Sequence, residues 1–188
     1  MTADTDIPPD TENPEPTSRM LSWARNSAIY RLERRMMTER QLRDAITRKA
    51  REKFEDIGPA QAKALGDFAV KFAYEIKALD DTAFAEITVR SGLRSGKSRR
   101  GLAQKLTVKG VDRQTVEAAL DETDDLIAAV VFARKRAFGP FRKVELDEKR
   151  KTKELSAFAR NGFGFEIGAR VFAMTPEEAE DILYDAPL

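Results

Sequence analysis

Apolar residues recur along this chain at helical spacing. Leu65, Phe68, Ala69, Phe72, Ala73 and Ile76 fall at offsets 0, 3, 4, 7, 8 and 11, which is one face of an α-helix. A smaller pattern recurs three times in imperfect form: two apolar residues four apart, then Lys, then Gly or another small residue, then an apolar residue. The clearest copy is Leu102, Leu106, Lys109, Gly110 and Val111. An earlier copy reads Leu42, Ile46, Lys49 and Ala50, and a degraded later one reads Phe158, Gly162 and Phe163. The spacings are 60 residues from Leu42 to Leu102 and 52 from Gly110 to Gly162. Self-similarity on this scale points to small helical units that stack on one another and share a core. It favours a binding surface over a catalytic pocket.

Start and stop signals divide the pattern into helices. A first helix is expected to start after Ser22 and run to about residue 35. Thr38 is placed to cap a second helix over 38–52, and Pro59 suits the first turn of a third over 59–78. A second group of helices is predicted over 82–92, 96–109 and 112–122. A third group runs from Asp124 to about Phe172, broken at Gly139-Pro140. Thr175-Pro176-Glu177-Glu178 reads as a capping box that starts a short acidic helix ending near Tyr184. No segment reads as a β-hairpin, and the best strand candidate, Glu86 to Arg90, lies inside a helical pattern. The chain is therefore expected to be all-α. Its divisions are an acidic, disordered tail (1–21), three-helix units over 22–78, 79–122 and 123–173, and an acidic C-terminal helix (174–188).

Charge changes the picture more than composition does. The net charge is only +1. Residues 1–18 and 175–188 each hold five acids and no base, so all 33 Lys and Arg lie between them with 22 acids, a net of +11. A basic body between acidic ends suggests a polyanion or an acidic protein as partner. Cysteine and histidine are both absent, which excludes disulfides, the usual zinc sites and His-based triads. The N-terminus shows no apolar leader, and nowhere do 18 consecutive apolar residues occur. The sequence reads as a soluble cytoplasmic protein without cofactor or metal.

Four features could carry chemistry. Gly92-Leu93-Arg94-Ser95-Gly96-Lys97-Ser98 resembles a phosphate-binding loop, but only three residues separate its glycines and no buried strand precedes it. The plainer expectation is a turn, with Ser95 capping the following helix. The pair Asp80-Asp81 stands just before an apolar helix, where capping accounts for it better than catalysis. Basic clusters form the third feature: Arg94, Lys97, Arg99, Arg100 and Lys105; Arg134, Lys135 and Arg136; Lys149, Arg150, Lys151 and Lys153. At about 100° per residue, Lys97 and Arg100 project away from the Leu102/Leu106 stripe, while Arg99 falls near it and can lay its stem along the core. The fourth feature, Gly110-Val111 and Gly162-Phe163, reads as a pair of helix C-caps.

These residues together resemble the RecX regulators of the bacterial recombinase RecA. The resemblance runs through Leu79-Asp80-Asp81 with Phe84-Ala85, the Leu102, Leu106, Lys109-Gly110-Val111 helix, and Asn161-Gly162-Phe163 followed by Ile167, covering roughly 24–173. Ala50 departs from the pattern where the first unit would carry Gly. The resemblance implies tandem three-helix units in an elongated, curved molecule. It also implies a non-enzymatic protein that binds the RecA filament on single-stranded DNA and restrains ATPase and strand exchange, with DNA itself as an alternative contact. A direct DNA-binding transcription factor of helix-turn-helix type is the other reading.

Overall fold

Side-chain caps set most of the helix boundaries in the computed structural model, which describes residues 15–121 and 123–186. Of the tail expected to be disordered over 1–21, residues 1–14 lie outside the described residues, whereas 18–21 are helical. All ten α-helices lack strand partners, since no strand occurs among the described residues. The all-α expectation holds. The described residues divide into two compact units, one ending at Asp80 and the other beginning at Asp81.

The first unit contains α1 (Ser18–Leu32), α2 (Glu39–Lys53) and α3 (Pro59–Glu75). Helix α1 starts at Ser18, five residues before the expected start after Ser22, where Thr17 accepts a hydrogen bond from the Met20 N–H at 3.3 Å. Thr38 and Gln41 form a reciprocal capping box at α2, and Pro59 occupies the first turn of α3. Leu42 and Ile46 of α2 meet Leu65 and Ala69 of α3 in a fully buried core that also takes Ala24, Ala28 and Leu79. Ala50 is buried and helical. Alanine is the best helix former and offers no left-handed stop, so α2 continues to Lys53 where the other two copies of the motif end.

The second unit contains α4 (Asp81–Arg94), α5 (Arg99–Val108), α6 (Arg113–Leu120), α7 (Asp125–Arg136), a 3-10 turn (Gly139–Phe141), α8 (Glu148–Arg160), α9 (Phe165–Ala173) and α10 (Pro176–Asp185). Two apolar clusters lie within it. Phe84, Ala85 and Val89 pack with Leu102, Leu106, Val116 and Leu120. Phe132, Phe138, Phe158 and Phe163 form an aromatic centre with ring centroids 5.3 to 6.5 Å apart, joined by Val130 and Val171. Leu93 packs against both clusters. The acidic helix α10 starts at the expected Thr175 capping box and buries Ala179 against the aromatic cluster.

A repeated turn ends these helices. After α5 the Gly110 N–H bonds the Thr107 carbonyl at 2.9 Å and the Val111 N–H bonds the Leu106 carbonyl at 3.1 Å, with Gly110 at φ +87°. After α8 the same pattern uses Gly162 at φ +86° and Phe163. This closure needs a left-handed residue, which glycine supplies at least cost. The turn after α7 has Ala137 there instead, at φ +53°, with the Phe138 N–H on the Ala133 carbonyl at 3.0 Å. An L-residue in that region costs about 1–2 kcal/mol, partly offset by the entropy glycine loses on folding. Ala137→Gly is therefore expected to stabilise the chain by about 0.5–1 kcal/mol. A melting temperature that stays level or falls would contradict this reading of the turn.

Among the described residues one charged group, Glu154, is fully buried. The Glu154 carboxylate accepts from the Gly139 N–H at 2.9 Å, from Arg142 at 3.0 and 2.8 Å, and from Arg150 at 3.0 Å. Desolvation pushes the carboxyl up, but these donors more than offset it and hold it below the usual carboxylate range. Arg142 also lies over the Phe172 ring at 4.9 Å. The network thus ties the segment between α7 and α8 to α8 and α9.

Candidate partner-binding surface

The loop from Gly92 to Ser98 forms no phosphate cradle. Gly92 is still helical at the end of α4, and a Cβ there would meet Leu102 Cδ2 at 2.2 Å. The Gly96 and Lys97 N–H groups are bonded to the Leu93 and Gly92 carbonyls at 2.9 and 3.0 Å, so they cannot point at a phosphate. Ser95 does not cap α5, as the sequence suggested. Its hydroxyl donates to the Gly92 carbonyl at 2.8 Å, closing α4. Ser98 is the cap, accepting from the Gly101 N–H at 3.1 Å. Gly96 in the left-handed region closes α4 first, which leaves Ser98 as the extended residue ahead of α5. We expect millimolar ATP to leave the melting temperature of the pure protein unchanged. A saturable shift that disappears in Lys97→Ala would contradict that.

Ser98 also joins two helix ends. Its hydroxyl donates to the Asn161 carbonyl at 2.6 Å, linking the start of α5 to the end of α8. A Cβ on Gly162 would meet the same hydroxyl at 2.6 Å. Arg99 is committed to structure: its N–H donates to Asp125 at 2.7 Å and its guanidinium to the Thr123 carbonyl at 2.9 Å. Its half-buried position agrees with the expected stem on the core. Asp81 stands in the first turn of α4, where its charge favours the helix dipole. Phe84, Ala85, Leu102 and Leu106 are core residues.

The basic residues fare differently from one another. Arg94, Lys97, Arg100 and Lys105 are all exposed. Lys97 stands in the turn before α5 rather than on the helix, because α5 begins only at Arg99. Lys105 is held below the ordinary lysine value by burial and by the neighbouring ammonium groups of Lys97 and Lys109. Lys97 and Lys109 thus each stand near Lys105. Lys109 also reaches over the Phe84 ring at 5.6 Å.

Arg134, Lys135 and Arg136 form the exposed last turn of α7. Lys135 Nζ donates to the Ser95 carbonyl at 3.0 Å, which brings this cluster against the α4–α5 turn. Arg94 and Arg134 line one cleft. The first two clusters thus form one cationic region. The third stays apart. Arg150 is half-buried on Glu154, and Lys151 pairs with Glu148 at 3.8 Å. Lys149 and Lys153 are exposed on the first turns of α8, roughly 18 and 12 Å along the helix from Asn161 at 1.5 Å per residue. Sequence reasoning passed over Arg90, which lines the same cleft as Arg94; their spacing of four on α4 was the available signal.

Among the described residues no group of three His, Cys, Asp or Glu could hold a metal ion, and no helix is long and apolar enough to cross a membrane. The architecture is all-α, and two of its basic clusters meet in one cationic region. The family description "RecX, second three-helix domain" matches residues 80–120, which cover α4 to α6. The chain is 82% identical over 174 residues to the regulatory protein RecX of Agrobacterium fabrum, covering 93% of this chain and 95% of that protein. It is 32% identical to the regulatory protein RecX of Myxococcus xanthus, over 82% of this chain and 87% of the relative. The crystal structure of RecX from Lactobacillus salivarius superposes with a TM-score of 0.62 at 19% identity, covering 87% of this chain and 99% of that one, and shares the fold. The chain belongs to the RecX family, whose curated members matched here are named regulatory proteins.

Proposed function

We propose that this protein is a non-catalytic regulator of a RecA-type recombinase. It binds the recombinase filament on single-stranded DNA and restrains ATP turnover and strand exchange. Membership of a family of regulatory proteins supports the reading. The observation that carries it to a surface is the joining of Arg94, Lys97, Arg100 and Lys105 with Arg134 to Arg136 through the Lys135–Ser95 contact. A cationic region of this kind attracts filament carboxylates or DNA phosphates, and its attraction weakens as salt rises.

A helix-turn-helix transcription factor finds less support. In that geometry α6 would enter the major groove. Its one cation is Arg113, and the guanidinium is paired with Glu117 at 2.6 Å. Sedimentation of recombinase filaments on poly(dT) tests the proposal. The protein is expected to pellet with filaments in low salt and to be released as salt rises. Failure to pellet in any salt, with tight binding to one duplex sequence, would replace it with the transcription-factor reading.

A further inference from the structure

Helix α7 is apolar on more sides than its core needs. The run Leu126 to Ala133 contains no polar residue. Leu126, Ala129, Val130 and Phe132 pack into the aromatic cluster, while Ile127 and Val131 belong to neither cluster of this unit. A helix that is apolar all round needs cover all round. Ile127 stays half-buried, and with the half-buried Leu93 of α4 it lines a cleft of about 800 Å³ whose floor is the buried Val131 and Val89, with Leu183 of α10 also contributing to its wall.

Two properties of this cleft select an occupant. Val89 and Leu93 are four residues apart on α4, and Ile127 and Val131 are four apart on α7. Paired ridges of that kind leave a groove suited to the apolar ridge of a third helix. The rim carries Arg90, Arg94 and Arg134. Arg43, Arg113, Arg142 and Arg150 all pair with carboxylates, whereas these three have no ion pair among the described residues. The cleft also holds the carboxylates of Glu86, Asp121 and Asp124, none of which forms an ion pair with Arg94 or Arg134 among the described residues; Asp124 instead caps α7 at 2.7 Å from the Leu126 N–H. Glu86 lies eight residues before Arg94 on α4, roughly 12 Å away along the helix. The Arg94/Arg134 end is left cationic.

We infer that this cleft is a docking groove for an amphipathic helix of the protein partner, its apolar ridge on the half-buried Ile127 and Leu93 above Val131 and Val89, and a carboxylate at Arg94 and Arg134. The inference rests on the proposed function, and assigns the cleft to the recombinase rather than to DNA. The test replaces Ile127 in the full chain with the photo-crosslinker p-benzoylphenylalanine and irradiates it with recombinase filaments on poly(dT). A cross-link to a recombinase segment with apolar residues at i and i+4 and an adjacent acid is expected. Arg94→Glu with Arg134→Glu, both exposed and away from the core, should weaken inhibition of the filament at least tenfold. This pair keeps the inference testable if the crosslinker variant fails to fold. Cross-linking to DNA, or unchanged inhibition by the folded double variant, overturns the groove while leaving the regulator reading intact. A wild-type chain that neither binds nor inhibits filaments sinks both.

Discussion

Glu154→Ala is expected to cost about 3–5 kcal/mol of folding stability, as breaking a buried ion pair does. The loss has two sources. The Gly139 N–H loses a partner in the interior, and Arg142 and Arg150, both half-buried, keep their charge without this acceptor. The cost belongs to the broken network rather than to the absence of charge. Replacing all three residues together, with Leu at 154 and Met at 142 and 150, should recover the part due to the stranded arginines, while the Gly139 N–H stays without its acceptor. Urea unfolding of the two variants separates these cases. Equal destabilisation in both would contradict the account.

The same carboxyl gives a pH signature. Its folded value lies below the unfolded value of 4.5, so the unfolded state takes up a proton first as acid is added. The stabilisation is present above about 4.5 and is lost as pH falls through the folded value. Wild-type stability should drop steeply in that range, and Glu154→Ala should show a shallower slope.

The second large effect concerns binding. Lys97→Glu together with Arg100→Glu is expected to weaken the interaction with recombinase filaments by about 2–4 kcal/mol, or roughly 30- to 1,000-fold. Both residues are exposed in the free chain and would be desolvated only in the complex. Reversal removes attraction and adds repulsion against carboxylates or phosphates. Folding should change by less than about 0.5 kcal/mol, since neither side chain makes a hydrogen bond or ion pair among the described residues. An acid at position 100 even suits the N-terminal turn of α5. A folded double variant that inhibits like wild type across a salt series would remove this face from the mechanism and shift attention to Lys149 and Lys153.

Much of the fold was legible because its signals are local. The stripe from Leu65 to Ile76, the caps at Thr38 and Thr175, Pro59 at a first turn and the left-handed Gly110 and Gly162 each depend on a few neighbouring residues. The misplaced boundaries are local competitions decided by backbone geometry. Ser95 and Ser98 both suit a cap, and the left-handed Gly96 decides between them. Thr17 begins α1, and Met20 and Leu21 of its first turn already pack on the core, a pair that the expected start after Ser22 passed over.

The site was less legible, because its features depend on distant partners. Glu154 reads as one acid in a basic run. Only the approach of Gly139 and Arg142, 15 and 12 residues earlier, makes it a buried anchor. That anchor takes Arg150 out of the charged surface with which sequence had grouped it. Periodicity marks Leu126 to Ala133 as apolar but cannot say that Ile127 and Val131 face a cleft rather than a core. The joining of the Arg94 and Arg134 clusters likewise needs the fold of α4 against α7.

The central claim is regulation of a recombinase through direct association, and the most direct measurement is RecA-type ATPase activity on single-stranded DNA titrated with this protein. Turnover is predicted to fall to a plateau at protein well below one copy per recombinase subunit or at equimolar amounts, and to recover as salt is raised. ATPase activity that stays constant through a large molar excess in low salt would contradict the account.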